Sequence, residues 1–117
     1  MDVHEVFNEK LRGLVNDLVT IRPDVPDFAM LRNALTLGAT LDRTMPQRCF
    51  HRFAAPYADQ IRARDERFFL DHRYDDVAGV ATDVVDKIKG VWRTLADADK
   101  CTIWRYFQVL LILSDAC

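Results

Sequence analysis

Hydrophobic residues recur at spacings of three and four along most of this chain, a pattern typical of α-helices with one buried face. In residues 2–21 the apolar positions are Val3, Phe7, Leu11, Leu14, Leu18 and Ile21. Asp2 and Glu5, three positions apart, resemble a capping box at the start of this first helix. Pro23 and Pro26 end it, because the residue before a proline disfavours the helical conformation.

The second predicted helix covers residues 26–42. Proline suits its first turn, where a backbone N–H would have no partner inside the helix. We expect the inward-facing side chains to be Phe28, Leu31, Leu35 and Leu41. Gly38 lies within this helix, where it indicates either a close contact with another helix or a kink.

The third and fourth predicted helices cover residues 44–55 and 56–64, and Pro56 separates them. Thr44 and Gln47 have the spacing of a second capping box. The apolar positions are Cys49, Phe50 and Phe53 in the third helix, and Tyr57 and Ile61 in the fourth. The next segment contains Phe68, Phe69 and Leu70, which cannot all remain in water. We therefore expect a turn or short helix that fills the core, followed by a loop over residues 71–76.

The fifth predicted helix covers residues 76–95, and a final helix covers about 99–114 with Asp97 or Asp99 as its N-cap. The apolar positions of the fifth helix are Val77, Ala81, Val84, Ile88, Val91 and Leu95. In the final helix, nine of the eleven residues of the stretch IWRYFQVLLIL are apolar or aromatic. Such a helix is buried or spans a membrane, and this stretch is shorter than the roughly 20 residues that a span needs.

These patterns predict an all-α fold: a compact bundle of five or six helices, with the C-terminal helix (about 99–114) central. No segment has the alternating pattern of a β-strand. The length of 117 residues and the hydrophobic content of 50% fit one globular domain, residues 1–117. If the final helix were exposed on a wide face, the chain would instead complete its core by pairing with another chain.

Charge and cysteine content bear on the setting of the protein. The net charge of −2 is unlike that of a general nucleic-acid or membrane-surface binder. The amino-terminal residues lack the pattern of a signal peptide. Cys49, Cys101 and Cys117 are an odd number without a close pair, which favours reduced thiols. We therefore expect an intracellular protein that is not secreted and has no membrane segment.

Residues that could carry chemistry are scattered. The histidines and cysteines lack metal-ligand spacing, and the isolated glycines form no phosphate-binding loop. The carboxylate pairs Asp65-Glu66 and Asp75-Asp76 point about 100° apart on a helix and suit helix starts better than catalysis. Ser114, the only serine, has no nucleophile motif around it. The sequence predicts a non-enzymatic protein with no catalytic residue, no metal site and no cofactor.

An arginine-rich segment, residues 43–73, is the strongest candidate for contact with a partner. It contains seven arginines and four acidic residues, whereas the rest of the chain is net negative. Arginine suits carboxylate and phosphate groups. Three interpretations remain open: pairing with acidic helices of the same chain, an acidic protein partner, or nucleic acid. The candidate side chains are Arg48, Arg52, Arg62 and Arg64.

The final helix offers a second candidate surface. Arg105 and Gln108 lie three residues apart and form one narrow polar edge, at which the helix is expected to meet water or a partner. Core packing is the favoured interpretation of the aromatic residues of this helix. If some of them reach the surface, Trp104 and Phe107, which flank this edge, are the candidates for contact with a partner, because exposed aromatic residues often anchor protein interfaces.

Several segments also resemble a family of small all-helical proteins encoded by nucleocytoplasmic large DNA viruses. The segments are FNEKLRGLVNDLVTIRPD, PYADQIRARDERFFLDH, KIKGVWRTLADADK and IWRYFQVLLILSD. The markers are Pro56-Tyr57, Ile61, Asp65-Glu66, Phe68-Phe69, Trp92 and Ile103-Trp104. They are markers of a fold, so the resemblance carries over no catalytic residue. It implies a viral protein in the host cell or the virion.

Together these observations predict a protein-interaction or structural protein, a small virion or assembly component, that binds a protein partner or itself. The alternative is a nucleic-acid-associated accessory factor that uses the arginine-rich segment.

Overall fold

A computed structural model describes residues 2–71 and 80–117, and the side chains of 2–71 and 85–117. Its α-helices are α1 (Val3–Ile21), α2 (Pro26–Leu41), α3 (Met45–Ala54), α4 (Ala58–Ala63), α5 (Glu66–Asp71), α6 (Val80–Val91) and α7 (Asp97–Ala116). Short 3-10 helices cover Ala55–Tyr57 and Trp92–Thr94. No strand occurs in the described ranges. Because α4 and α5 have only six residues each, five longer helices form the body of the bundle. The predicted all-α bundle is confirmed.

The helix starts agree only in part with the predicted caps. Asp2 caps α1, and its carboxylate accepts the His4 N–H at 3.0 Å. At α3 the predicted capping box is wrong, because the Asp42 carboxylate accepts both the N–H and the hydroxyl of Thr44, at 3.0 and 2.8 Å. Ala96, not an aspartate, is the N-cap of α7. Asp97 and Asp99 lie in its first turn, where their charges favour the positive end of the helix dipole.

A 3-10 helix and a left-handed residue separate α3, α4 and α5. Pro56 interrupts the helix, as predicted, and forms part of the first 3-10 helix. α4 ends at Arg64, whose φ of 52° is left-handed, and the Asp65 N–H donates to the Gln60 carbonyl at 3.0 Å. The Asp65 carboxylate then accepts the Phe68 N–H at 3.0 Å and starts α5. This places Phe69 in the core with Phe68 and Leu70 half-buried, which confirms the predicted short helix.

The core contains a cluster of four aromatic side chains, Phe69, Trp92, Trp104 and Phe107, which we call the aromatic cluster. The Phe69 and Trp92 ring centres are 5.3 Å apart, and those of Trp92 and Trp104 are 5.7 Å apart, both in edge-to-face arrangements. This geometry suits the charge distribution of aromatic rings. Since these residues come from α5, the second 3-10 helix and α7, the cluster joins the second half of the chain.

The C-terminal helix α7 occupies the predicted central position. It contacts α1, α3 and α4, and its buried residues are Ile103, Trp104, Phe107, Leu110, Leu111 and Ser114. It is not enclosed on every side, because Ile112 is 68% exposed. Of the predicted fifth helix, residues 76–79 and the side chains of Ala81 and Val84 lie outside the described part of the chain. Ile88 and Leu95 are buried, as predicted.

In α2 one predicted inward-facing residue is wrong. Phe28 and Leu31 are buried and Leu35 is half-buried, but Leu41 is 81% exposed. Leu41 is the last residue of α2, on the side that α1 does not cover. The interpretation of Gly38 as a close contact holds, because a Cβ there would collide with the methyl group of Met45 in α3.

Candidate interaction surfaces

The outer side of α2 carries a row of exposed apolar residues: Met30, Ala34, Leu37 and Leu41. We call this row the α2 apolar face. Met30 is 67% exposed and Leu37 63% exposed, in addition to Leu41. Spacings of four, three and four residues place all four side chains on one side of the helix, over about 17 Å of its length. Large apolar side chains grouped in this way mark sites of association.

Charge is missing from this face. Between Asp27 and Asp42 the only charged residue is Arg32, although 29% of the chain is charged. Arg32 is half-buried and lies on the opposite side of α2, beside Leu11 and Val15 of α1. Binding of a partner to this face is therefore favoured by the removal of apolar surface from water, and the face offers no charged side chain for an ion pair.

The α2 apolar face continues onto the start of α3. The Met45 side chain covers Gly38, and the Cys49 sulfur lies 3.6 Å from the Met45 sulfur. Cys49 is exposed and Met45 is half-buried. Both side chains are uncharged, so they widen the apolar surface beside Leu41.

All four candidate arginines are exposed, but their contacts differ. Arg48, on α3, pairs with Asp42 at 2.6 Å. Arg62 lies 3.4 Å from Asp59 and 3.8 Å from Asp115 of α7. Arg52 has no carboxylate within ion-pair distance among the described residues. The structure thus ties Arg48 to the end of α2 and Arg62 to the end of α7.

Arg64 holds the polar edge of α7. Its guanidinium donates to the side-chain oxygen (Oε1) of Gln108 and to the Cys101 sulfur, each at 3.3 Å. Gln108 in turn donates to the backbone carbonyls of Ile61 and Arg62 at 3.3 and 3.2 Å. The hydrogen bond from Arg64 lowers the pKa of the Cys101 thiol below its usual range. The predicted edge at Gln108 is therefore occupied by the end of α4.

The aromatic residues beside this edge are not available to a partner. Trp104 and Phe107 are each only 6% exposed and belong to the aromatic cluster. The favoured core position is therefore the observed one and the alternative, contact with a partner, is wrong, because α4 and α5 fold over this side of α7. Burying two large rings inside the chain removes them as anchors for another molecule.

A buried serine links the ends of α3 and α7. Gln47 donates to the Ser114 hydroxyl at 3.2 Å, and the Nδ1 atom of His51 lies 3.2 Å from the same hydroxyl. A Ser–His pair can form a nucleophile, but Ser114 is buried and no carboxylate lies within ion-pair distance of His51 in the described residues. The arrangement instead attaches α3 to α7.

Two cavities among the described residues are too small for a substrate. One, between α1 and α2, and another, against the aromatic cluster, each have a volume of about 20 Å³. Such a volume holds roughly one water molecule, whereas ligand sites have volumes of several hundred Å³. A wider, open depression of about 380 Å³ lies over Asp65, Arg67, Phe68 and Asp71.

In residues 2–71 and 80–117 no group of three or more His, Cys, Asp or Glu is arranged to hold a metal ion. No helix in these ranges has the length and apolar character needed to cross a membrane. Comparisons with models of protein families, with curated proteins and with solved structures find no match to this chain.

The α2 apolar face was not predicted from the sequence. The signal was present, because α2 has two apolar rows: Phe28, Leu31 and Leu35 form one, and Met30, Leu37 and Leu41 belong to the other. A surface helix typically has one apolar stripe that faces the core, so a second row on its other side indicates a further contact surface.

Proposed function

We propose that this chain is a non-enzymatic protein-interaction protein that docks through the α2 apolar face. The observation that carries the proposal is the row of exposed Met30, Leu37 and Leu41 on a face without charge. The largest apolar patch on a protein surface is often a site of association, and covering this row removes apolar surface from water. Arg48, 64% exposed at the end of this row, is placed to contribute to the polar rim.

In its full form, the proposal is a small virion or assembly component of a large DNA virus. The support for this setting is the resemblance carried by Pro56-Tyr57, Phe68-Phe69 and Ile103-Trp104. The docking surface and the setting are separable, because the first depends on exposed apolar area and the second on those marker residues.

The test is mass spectrometry of purified virus particles against fractions of infected cells. We expect the chain to be enriched in particles, or to co-purify with structural proteins after nuclease treatment. Leu37→Glu should reduce this enrichment at least about tenfold, because a buried charge opposes docking. Ile112→Glu, at an equally exposed apolar residue of α7, is the matched control and should leave it unchanged. Wild-type chain confined to the soluble cell fraction would contradict the virion setting.

Nucleic-acid binding is the second candidate, and the exposure of Arg48, Arg52 and Arg62 favours it. In binding of this kind, the logarithm of the association constant falls linearly with the logarithm of the salt concentration, because counterions are released. Fluorescence anisotropy with labelled DNA and RNA should then show a steep salt dependence. Replacing these three arginines with glutamate should abolish it, whereas Arg93→Glu, at another exposed arginine, should not. Equal affinity of the triple variant would rule out this use of the arginines.

A further inference from the structure

We propose that the partner of the α2 apolar face is a second copy of this chain, packed antiparallel about a two-fold axis. This inference rests on the proposed function, since it names the occupant of the same face. Three properties of α2 carry it: the order of its exposed residues, the charges at its two ends, and the area that it offers.

The order of residues makes the face complementary to itself. The spacings of four, three and four read the same in both directions along α2. In an antiparallel pair, Met30 therefore faces Leu41 of the second copy, and Ala34 faces Leu37 of the second copy. The small Ala34 leaves room for the large Leu37, and this match occurs twice about the axis. A two-fold interface requires such self-complementarity, in which each residue pair is repeated with the copies exchanged.

The charges at the ends of α2 favour the antiparallel direction. Asp27 lies at the first turn, 42% exposed, and Arg48 lies just beyond the last turn, 64% exposed. Antiparallel packing brings Asp27 of each copy to the end at which Arg48 of the second copy pairs with Asp42, so that Arg48 can lie between two carboxylates. Parallel packing would instead place Arg48 against Arg48 and Asp27 against Asp27. Asp27 and Arg48 already have partners in their own chain, Lys87 and Asp42. Pairs across the interface would extend these contacts into rim networks.

The exposed area is sufficient for a weak dimer. Met30, Leu37 and Leu41 together expose roughly 400 Å² per copy, which is within the usual size of the largest apolar patch on a monomer. Two copies, with Ala34 and the polar flank of α2, would bury roughly 1,000 Å², the lower limit for a specific interface. We therefore expect a dissociation constant in the micromolar range.

The first experiment measures the oligomeric state of the full chain by sedimentation velocity between roughly 1 and 200 μM, a range that brackets micromolar affinity. The wild type should change from its monomer mass of 13.5 kDa to twice that mass as concentration rises. Leu37→Glu should remain monomeric, with dimerisation weakened at least about 100-fold. Ile112→Glu should dimerise like the wild type. Circular dichroism establishes that each variant is folded, since both sites are exposed.

A second variant tests the register. Ala34→Leu increases the apolar surface, so indiscriminate hydrophobic association would become tighter. In the two-fold register it places leucine against Leu37 of the second copy, and dimerisation should weaken about tenfold or more because overpacking opposes close approach. Tighter dimerisation of this variant would overturn the proposed register.

The outcomes separate the inference from the proposed function. If the wild type stays monomeric over the whole concentration range, the inference that a second copy occupies the α2 apolar face is overturned. The proposed function then stands or falls with the particle fractions and their dependence on Leu37. A dimer that dissociates with Leu37→Glu, in a chain absent from particles and from structural complexes, supports the inference and contradicts the virion setting. A dimer that survives Leu37→Glu overturns the inference.

Discussion

At the scale of single residues, the connections between distant helices depend on a few polar side chains. Ser114 holds α3 to α7 through Gln47 and His51, and Gln108 holds α7 to the end of α4 through backbone carbonyls. Polar groups that are largely removed from water must find partners, because leaving one unpaired costs about 1–3 kcal/mol. These side chains therefore determine where each helix end rests, in addition to the apolar core.

The two C-terminal cysteines should differ in their dependence on pH. Arg64 lowers the pKa of Cys101, whereas burial raises the pKa of the Cys117 thiol. Since the thiolate is the reactive form, the alkylation of Cys101 should begin at lower pH than that of Cys117. Iodoacetamide labelling over a pH series, followed by peptide mass spectrometry, measures both profiles.

The control for this comparison is Arg64→Gln, which removes the positive charge beside Cys101. The Cys101 profile should move to higher pH, and the Cys117 profile should stay in place. Identical midpoints for the two thiols in the wild type would show that the guanidinium does not stabilise the Cys101 thiolate.

At the scale of helices, two glycines have different surroundings: Gly13 lies in close contact with another helix, and Gly90 lies in open space among the described residues. A Cβ at Gly13 of α1 would lie 3.0 Å from the Tyr106 hydroxyl oxygen of α7, whereas a Cβ at Gly90 of α6 would have no neighbour within 4 Å among the described residues. Glycine costs about 1 kcal/mol relative to alanine within a helix. The close approach of α1 and α7 therefore explains Gly13, and nothing in the structure explains Gly90.

Alanine at these two glycines should have different effects on stability. Gly90→Ala should raise the free energy of unfolding by about 1 kcal/mol, because it restricts the unfolded chain without a new contact. Gly13→Ala should raise the free energy of unfolding by less, since Tyr106 must move. Gly13→Val should lower the free energy of unfolding by about 2 kcal/mol, because the larger side chain overpacks the contact. Urea unfolding followed by circular dichroism measures all three. A gain at Gly13 equal to that at Gly90 would mean that α1 and α7 are not in close contact.

At the scale of the whole molecule, the buried residues of the amino- and carboxy-terminal halves form one hydrophobic cluster. Phe7 of α1 packs against Phe50 of α3, with ring centres 5.6 Å apart, and α7 connects this region to the aromatic cluster. The radius of gyration of 13.3 Å is close to the roughly 13 Å expected for one folded domain of this length.

A shared core predicts a single unfolding transition. Near-ultraviolet dichroism, which reports the aromatic cluster, and far-ultraviolet dichroism, which reports the helices, should give coincident urea curves. Trp92→Ala should lower the free energy of unfolding by about 3–5 kcal/mol, since this fully buried ring would leave a cavity. Ile112→Ala, at an exposed position, should change it by less than about 0.5 kcal/mol. Two separated transitions would contradict the prediction of one domain.

Features that depend on residues a few positions apart could be predicted from the sequence. Local spacing and backbone chemistry account for the buried row of α1, the cap at Asp2, the break at Pro56 and the insertion of Phe69 into the core. The packing of distant helices, in contrast, determines which of the two apolar rows of α2 is covered and leaves Leu41 exposed. It also gave Gln47 a partner 67 residues away, in place of Thr44. Burial depends on which distant helices pack against a surface, and the periodicity of one segment cannot specify that.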